Sequence, residues 1–85
     1  MEKINILRKV SGKIIQVDAD AMTLETVDGL TRMFRLDPNA EITDEGFHLL
    51  PLSGLKNGQY VIVSYASGDD RFLTAKMIRS FTHFN

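Results

Sequence analysis

The side chains best suited to chemistry in this sequence are two histidines and two close pairs of aspartates. They are His48, His83, Asp18 with Asp20, and Asp69 with Asp70. Catalysis needs a reactive group and a second group within hydrogen-bonding reach, and no motif for such a pair surrounds either histidine. The aspartate pairs lack the D-x-D-x-D-G spacing and closing Glu of a calcium loop, and are typical of turns that hydrogen-bond their own backbone. We therefore predict a non-enzymatic protein without catalytic residues, metal ligands or cofactor.

The composition is that of an ordinary folded protein. The 85 residues are 44% hydrophobic and 25% charged, which is too apolar for a disordered segment. There is no Cys, which excludes disulfides, a thiolate nucleophile and a cysteine-ligated zinc site. Ten Lys and Arg against eleven Asp and Glu give a net charge of −1. An obligate nucleic-acid binder usually carries a basic excess, so this balance disfavours that class.

The beginning of the sequence reads neither as a signal peptide nor as a membrane helix. Residues 1–10, MEKINILRKV, carry four charges and no long apolar run. We expect a cytoplasmic protein, or an exported domain without its signal. The length predicts a single domain over residues 1–85, with a core over 10–79 and peripheral segments over 1–9 and 80–85.

Short β-branched and aromatic runs between closely spaced turn signals predict an all-β fold. The runs cover residues 10–18, 21–27, 31–36, 60–65 and 71–79. Gly12 and Ile14-Ile15 predict a bulge in the first run, and Asp28-Gly29 predicts a two-residue hairpin turn. The side chains predicted to face the core from the third and fourth runs are Phe34, Leu36, Val61, Val63 and Tyr65. We predict a five-stranded, antiparallel, OB-like small barrel.

A capping segment is predicted between the third and fourth strands. Asp37-Pro38 is expected to end the third strand, because proline cannot donate to a β-ladder. The following residues 39–54 are too apolar for a solvated loop. The apolar positions are Ile42, Phe47, Leu49, Leu50 and Leu52. We expect this short helical or irregular segment to plug one end of the barrel.

The order of core and turn residues resembles the small OB-like barrel domains of unknown function that are common in bacterial proteins. The positions that carry the resemblance are Gly12, Ile14, Val17, Asp18, Thr23, Leu24, Asp28, Gly29, Phe34, Leu36, Leu55, Lys56, Gly58, Val61, Val63, Tyr65, Ala75 and Ile78. They span most of the chain. The resemblance implies a barrel architecture and no particular activity, because the matching positions serve packing and turns.

The layout is also similar to that of the periplasmic copper chaperones of copper–silver efflux systems. The resemblance would imply a Cu(I) site of His, Trp and two Met on the second and third strands. This sequence has Glu25 and Thr26 where the His would lie, no Trp, and only Met33 on the third strand. A soft Cu(I) site needs several converging ligands. Weak metal binding through Met33 or the histidines remains an alternative.

One outward face is unusually apolar. If Val61 and Val63 face inward, their neighbours in the strand face outward, and three phenylalanines are close in sequence to the same sheet edge. The predicted contact face consists of Tyr60, Ile62, Phe72, Phe81 and Phe84. Its occupant would be the terminal segments of the chain, a second copy or another protein. The leading hypothesis is therefore a small module for protein–protein contact.

A second hypothesis is single-stranded nucleic-acid binding across the first and third strands. The residues concerned are Lys9, Lys13, Arg32, Met33 and Arg35. We expect the first, third and last strands to be neighbours, which would gather these side chains. OB folds also place aromatic platforms on the second and third strands, where none is predicted here.

Overall fold

Five β-strands and one 3₁₀ turn make up the regular structure of the residues that the computed structural model describes, 7–67 and 73–81. The strands are β1 (Arg8–Val17), β2 (Ala21–Thr26), β3 (Thr31–Thr43), β4 (Tyr60–Ser67) and β5 (Leu73–Phe81), and the 3₁₀ turn is Leu52–Gly54. The strands close into a barrel. The predicted all-β, five-stranded barrel is confirmed.

The strand order around the barrel is β1-β2-β3-β5-β4, and β4 pairs back onto β1. Four of the five pairs are antiparallel, but β3 and β5 are parallel. The prediction of a purely antiparallel barrel is wrong at this pair. Strand direction cannot alternate at every step around a closed ring of five, because five is odd. One parallel pair is therefore required, and the resulting order is consistent with an OB-like barrel.

Alternate side chains of every strand fill the interior, as the period of two in a β-strand requires. The buried apolar residues are Ile14, Met22, Leu24, Phe34, Ile42, Leu55, Val61, Val63, Tyr65, Ala75 and Ile78. The predicted inward orientation of Phe34, Val61, Val63 and Tyr65 is confirmed. The rings of Phe34 and Tyr65 meet edge to face, with centroids 5.2 Å apart, an arrangement that stabilises aromatic pairs beyond simple burial.

Strand β1 bends where the sequence predicts it. The register between β1 and β2 shifts between Ile14 and Gln16, and Ile15 is exposed. At Gly12 the two strands approach so closely that a Cβ atom would lie 2.6 Å from the carbonyl oxygen of Glu25. The bulge and the missing side chain together let the strand curl, as barrel closure requires.

Strand β3 is longer than predicted, because Pro38 does not end it. The register between β3 and β5 breaks between Leu36 and Glu41, and Pro38 lies inside that break, where no ladder donor is needed. Beyond the break β3 continues to Thr43 and buries Ile42. Lys76 of β5 donates to the Asp37 carboxylate at 2.5 Å. This hydrogen bond and the backbone N–H of Asn39 hold the pKa of Asp37 below its ordinary value.

The connection between β3 and β4 caps the barrel only in part. Leu50 packs against the core, as predicted, and Leu55, which follows the predicted segment, is buried. Phe47 and Leu49, however, are 70% and 74% exposed, so the prediction that they plug the barrel is wrong. The chain turns back on itself after Thr43, and this reversal carries both side chains to the outside of the barrel. Helical structure in this connection is limited to the single 3₁₀ turn Leu52–Gly54.

Among the described residues, none belongs to a helix with the length and apolar character needed to cross a membrane.

Candidate contact face on the outside of the barrel

Three rows of outward-facing side chains cross the outside of β4 and β5 and extend onto their neighbours β1 and β3. The strand registers fix the rows, since paired residues on one face of a sheet lie side by side. The rows are Lys9, Ser64, Met77 and Glu41; Ser11, Ile62, Arg79 and Thr43; and Lys13, Tyr60 and Phe81. We call this surface the β4–β5 outer face.

A tight turn extends from one side of the β4–β5 outer face. Thr43 pairs with Leu49 across it. The backbone N–H of Asp44 donates to the carbonyl of His48 at 3.0 Å, and the N–H of Phe47 donates to the carbonyl of Asp44 at 3.0 Å. The segment from Asp44 to His48, which we call the 44–48 turn, is thus a three-residue hairpin loop.

The Asp44 carboxylate holds the 44–48 turn from inside. Its Oδ1 accepts the backbone N–H groups of Gly46 at 2.8 Å and His48 at 2.9 Å. The ring Nδ1 of His48 lies 3.2 Å from Oδ2. The backbone hydrogen bond from His48 is the main reason that the pKa of Asp44 lies below its ordinary value. An ionised Asp44 therefore stabilises the turn.

Phe47 has an unusual backbone conformation in this turn. Its φ is +64°, and it is the only residue other than glycine with a positive φ in the described part of the chain. A non-glycine residue in this region costs on the order of 1–2 kcal/mol. The ring is nevertheless 70% exposed, so burial does not offset that cost. Strain at an exposed aromatic residue is typical of a functional position.

Arg79 connects the 44–48 turn to β5. Its guanidinium carbon lies 4.0 Å from the centroid of the Phe47 ring and 5.3 Å from that of Phe81, which is cation–π geometry on both sides. Nη2 donates to the carbonyl of Glu45 at 2.7 Å. The Nε atom is buried without a hydrogen-bond partner. Arg79 therefore holds the turn over the sheet with one donor left unsatisfied.

A groove of about 510 Å³ lies between the 44–48 turn and β1. Its lining is formed by Lys9, Glu41, Thr43, Phe47, Leu49, Ile62, Ser64, Met77, Ile78 and Arg79. Met77 is 47% exposed, so the groove presents apolar surface to solvent at its floor as well as at its wall. Half of the lining residues are apolar and half are charged or polar, and the volume lies in the range of binding pockets.

The structure brings together the described members of the predicted contact face. Tyr60 and Phe81 are direct cross-strand partners, and Ile62 lies in the neighbouring row. All three are half-buried. Phe72 and Phe84 lie outside the described residues.

The predicted nucleic-acid set is divided between two surfaces. Strand β1 pairs with β2 and β4 and has no pairing with β3, so the expectation that the first, third and last strands are neighbours is wrong for β1. Lys9 lines the groove, and Lys13 lies opposite Glu25 with its Nζ 5.9 Å from the Tyr60 ring centroid. The remaining members are exposed on β3, away from the groove: Arg32, Met33 and Arg35.

No metal centre forms among the described residues, in which no three His, Asp or Glu side chains converge. His48 is engaged with Asp44, and His83 lies outside the described residues. Met33 is exposed on β3. The Asp44 carboxylate is one possible ligand beside His48, and no third His, Asp or Glu of the described residues joins the pair.

Three residues that line the groove were not predicted to lie on an outer face: Phe47, Leu49 and Met77. Met77 and Arg79 alternate with the buried Ile78 and Ser80, so the period of two in β5 could have identified them. Phe47 and Leu49 were assigned to the barrel cap because they are apolar. Their position depends on the chain reversal at 44–48, which composition does not reveal.

No protein-family model matches this sequence. No curated protein matches it either.

Proposed function

We propose that the protein is a non-enzymatic module for protein–protein contact, and that the contact is made by the β4–β5 outer face. The proposal combines the predicted members Tyr60, Ile62 and Phe81 with the groove next to them. Aromatic side chains, methionine and arginine are enriched in protein interfaces, and all three kinds lie on this face.

The main support for the proposal is that Phe47 is both strained and exposed. A phenylalanine at positive φ weakens the fold, and at 70% exposure it gains little from burial in return. Its ring forms the wall of the groove and stacks on Arg79. Arginine and large aromatic residues, chiefly Trp and Tyr, are enriched at the energetic centres of interfaces.

The test is site-specific photo-crosslinking from the wall of the groove. A benzoylphenylalanine replaces Leu49, which is 74% exposed, and in a control protein it replaces Met33, which is 62% exposed and lies outside the groove. Both proteins are irradiated in a cell extract that contains native proteins and nucleic acids. We expect adducts from position 49 that nucleases leave intact, and few from position 33.

Equal labelling from both positions, or no adduct from position 49, would contradict the proposal. Nuclease-sensitive adducts would instead favour the nucleic-acid hypothesis. A titration of a fluorescent single-stranded oligonucleotide at low and moderate salt provides the independent check. Affinity based on phosphate neutralisation falls steeply with salt, whereas an apolar protein contact persists.

A further inference from the structure

Opposite charges lie at the two ends of the first row of the β4–β5 outer face. The row runs from Lys9 on β1 through Ser64 and Met77 to Glu41 on β3. Both charged side chains are exposed and line the groove. Neither forms an ion pair with another described residue. The row thus has a positive end at Lys9, a centre of Ser64 and Met77, and a negative end at Glu41.

The separation of the two charges suits a second face of the same kind. Neighbouring strands are about 4.8 Å apart, so a four-strand row is roughly 14 Å long when measured along the curved sheet. A two-fold axis parallel to the strands and through the middle of the row reverses the row onto itself. Lys9 of each copy would then meet Glu41 of the other, which gives two identical ion pairs.

The shape of the face is also compatible with a two-fold axis. On the β3 side the 44–48 turn rises above the sheet with Phe47 and Leu49 exposed. On the β1 side the corresponding row ends in the small side chain of Ser11, next to Ile62. The same two-fold axis carries the raised turn of one copy over the low β1 side of the other. A protruding and a recessed half on one surface are what a self-complementary interface needs.

We propose that the occupant of the β4–β5 outer face is a second copy of this chain, bound about a two-fold axis with Lys9 paired to Glu41 in both directions. This inference rests on the proposed contact function and specifies its partner. Phe47 of each copy packs over the β1 edge of the other, beside Ser11 and Ile62.

The test is a charge exchange between the two edges, with Lys9→Glu and Glu41→Lys made separately and together. Sedimentation velocity measures self-association from about 1 μM to about 1 mM, the range in which modest interfaces dissociate. We expect the wild type to dimerise. Each single variant places like charges opposite one another twice per dimer, so its dissociation constant should rise at least about tenfold.

Restoration of the dimer distinguishes a lost contact from a damaged fold. When the two single variants are mixed, the introduced glutamate of one chain faces the introduced lysine of the other. The unchanged Glu41 of the first chain faces the unchanged Lys9 of the second, so we expect a heterodimer. The double variant should form a homodimer, and both should approach wild-type affinity to within about threefold. Circular dichroism confirms that each variant is folded.

A wild type that is monomeric throughout this range would overturn the two-fold contact. So would single variants that dimerise as well as the wild type, or a mixture that does not associate. The crosslinking test separates this failure from failure of the contact function. Adducts of Leu49-substituted protein to a foreign protein alone would support a contact module and overturn self-association, whereas absence of any adduct would overturn both.

Discussion

Two hairpin turns of this protein share one backbone geometry and differ in the residue at its strained position. In the β2–β3 turn, the N–H of Thr26 donates to the Leu30 carbonyl and that of Gly29 to the Thr26 carbonyl. In the 44–48 turn, Asp44, Phe47 and His48 make the same two hydrogen bonds. The positive φ belongs to Gly29 in one turn, at +82°, and to Phe47 in the other, at +64°.

An aspartate carboxylate also supports each turn. Asp28 accepts from the hydroxyl of Thr26 and, at 3.4 Å, from the N–H of Leu30. Asp44 accepts from the two backbone N–H groups described above. Glycine at the strained position is the residue that local energetics select. The β2–β3 turn therefore has the residue that local energetics select, while the 44–48 turn has a phenylalanine in the same position.

The largest effect should come from Phe47→Gly, which makes the second turn like the first. Truncating a central aromatic residue of an interface typically costs about 2 kcal/mol or more, so dimerisation should weaken by roughly thirtyfold or more. The free energy of unfolding should change by less than about 1 kcal/mol, because relieved strain offsets the lost cation–π contact. Sedimentation velocity and urea denaturation measure the two quantities.

The matched control is Val27→Gly, which removes an 86% exposed side chain from the β2–β3 turn. It should leave dimerisation unchanged. If Phe47→Gly unfolds the protein, or if both variants weaken association equally, the contrast between the two turns has no functional meaning.

A smaller effect is expected from Gly29→Phe, the reverse exchange. The new side chain would adopt positive φ with no atom within 4 Å of its Cβ to pack against, so the protein should lose about 1–2 kcal/mol of stability. No association should be gained. Gly29→Asn serves as the control, since asparagine tolerates this conformation better, and it should cost less. A Gly29→Phe protein as stable as the wild type would show that the strained position carries no cost in this fold.

The comparison of the two turns also explains what could be predicted from the sequence. The strands, the bulge near Ile15 and the inward side chains follow from alternation and turn residues, which act locally. The Asp28-Gly29 hairpin was predicted too, although its loop contains three residues, 27–29, where two were expected. In the 44–48 turn the positive φ belongs to Phe47, whereas the only glycine is Gly46, one residue earlier. The sequence therefore does not reveal the geometry of this turn.

The remaining errors have non-local causes. The parallel pairing of β3 and β5 arises from closing a ring with an odd number of strands, which no single segment encodes. Pro38 lies inside β3 because the register with β5 breaks there, and that break depends on the partner strand. The groove combines β1, β3, β4, β5 and the 44–48 turn, and its members are adjacent only after closure. The parallel pair, the position of Pro38 and the groove thus all depend on contacts between distant parts of the sequence.

The smallest effect is a dependence of the 44–48 turn on pH. The pKa of Asp44 is lowered in the folded protein, chiefly by the N–H of His48. A lowered pKa means that the carboxylate's contribution to stability is complete above the unfolded value of about 3.9 and is lost as the pH falls through the folded pKa. The turn, and with it the position of Phe47, should therefore loosen only in acid below that value.

Amide chemical shifts of Gly46 and His48 during an acid titration measure this loosening. Asp44→Asn should remove the transition and weaken the turn at neutral pH, because a neutral amide is a poorer acceptor than a carboxylate. Asp28→Asn should leave both amides unaffected, although Asp28 also has a lowered pKa, mainly through the Thr26 hydroxyl. A midpoint at or above the unfolded value would show that the ionised Asp44 does not hold the turn. Arg79 alone would then hold Phe47 in its strained conformation.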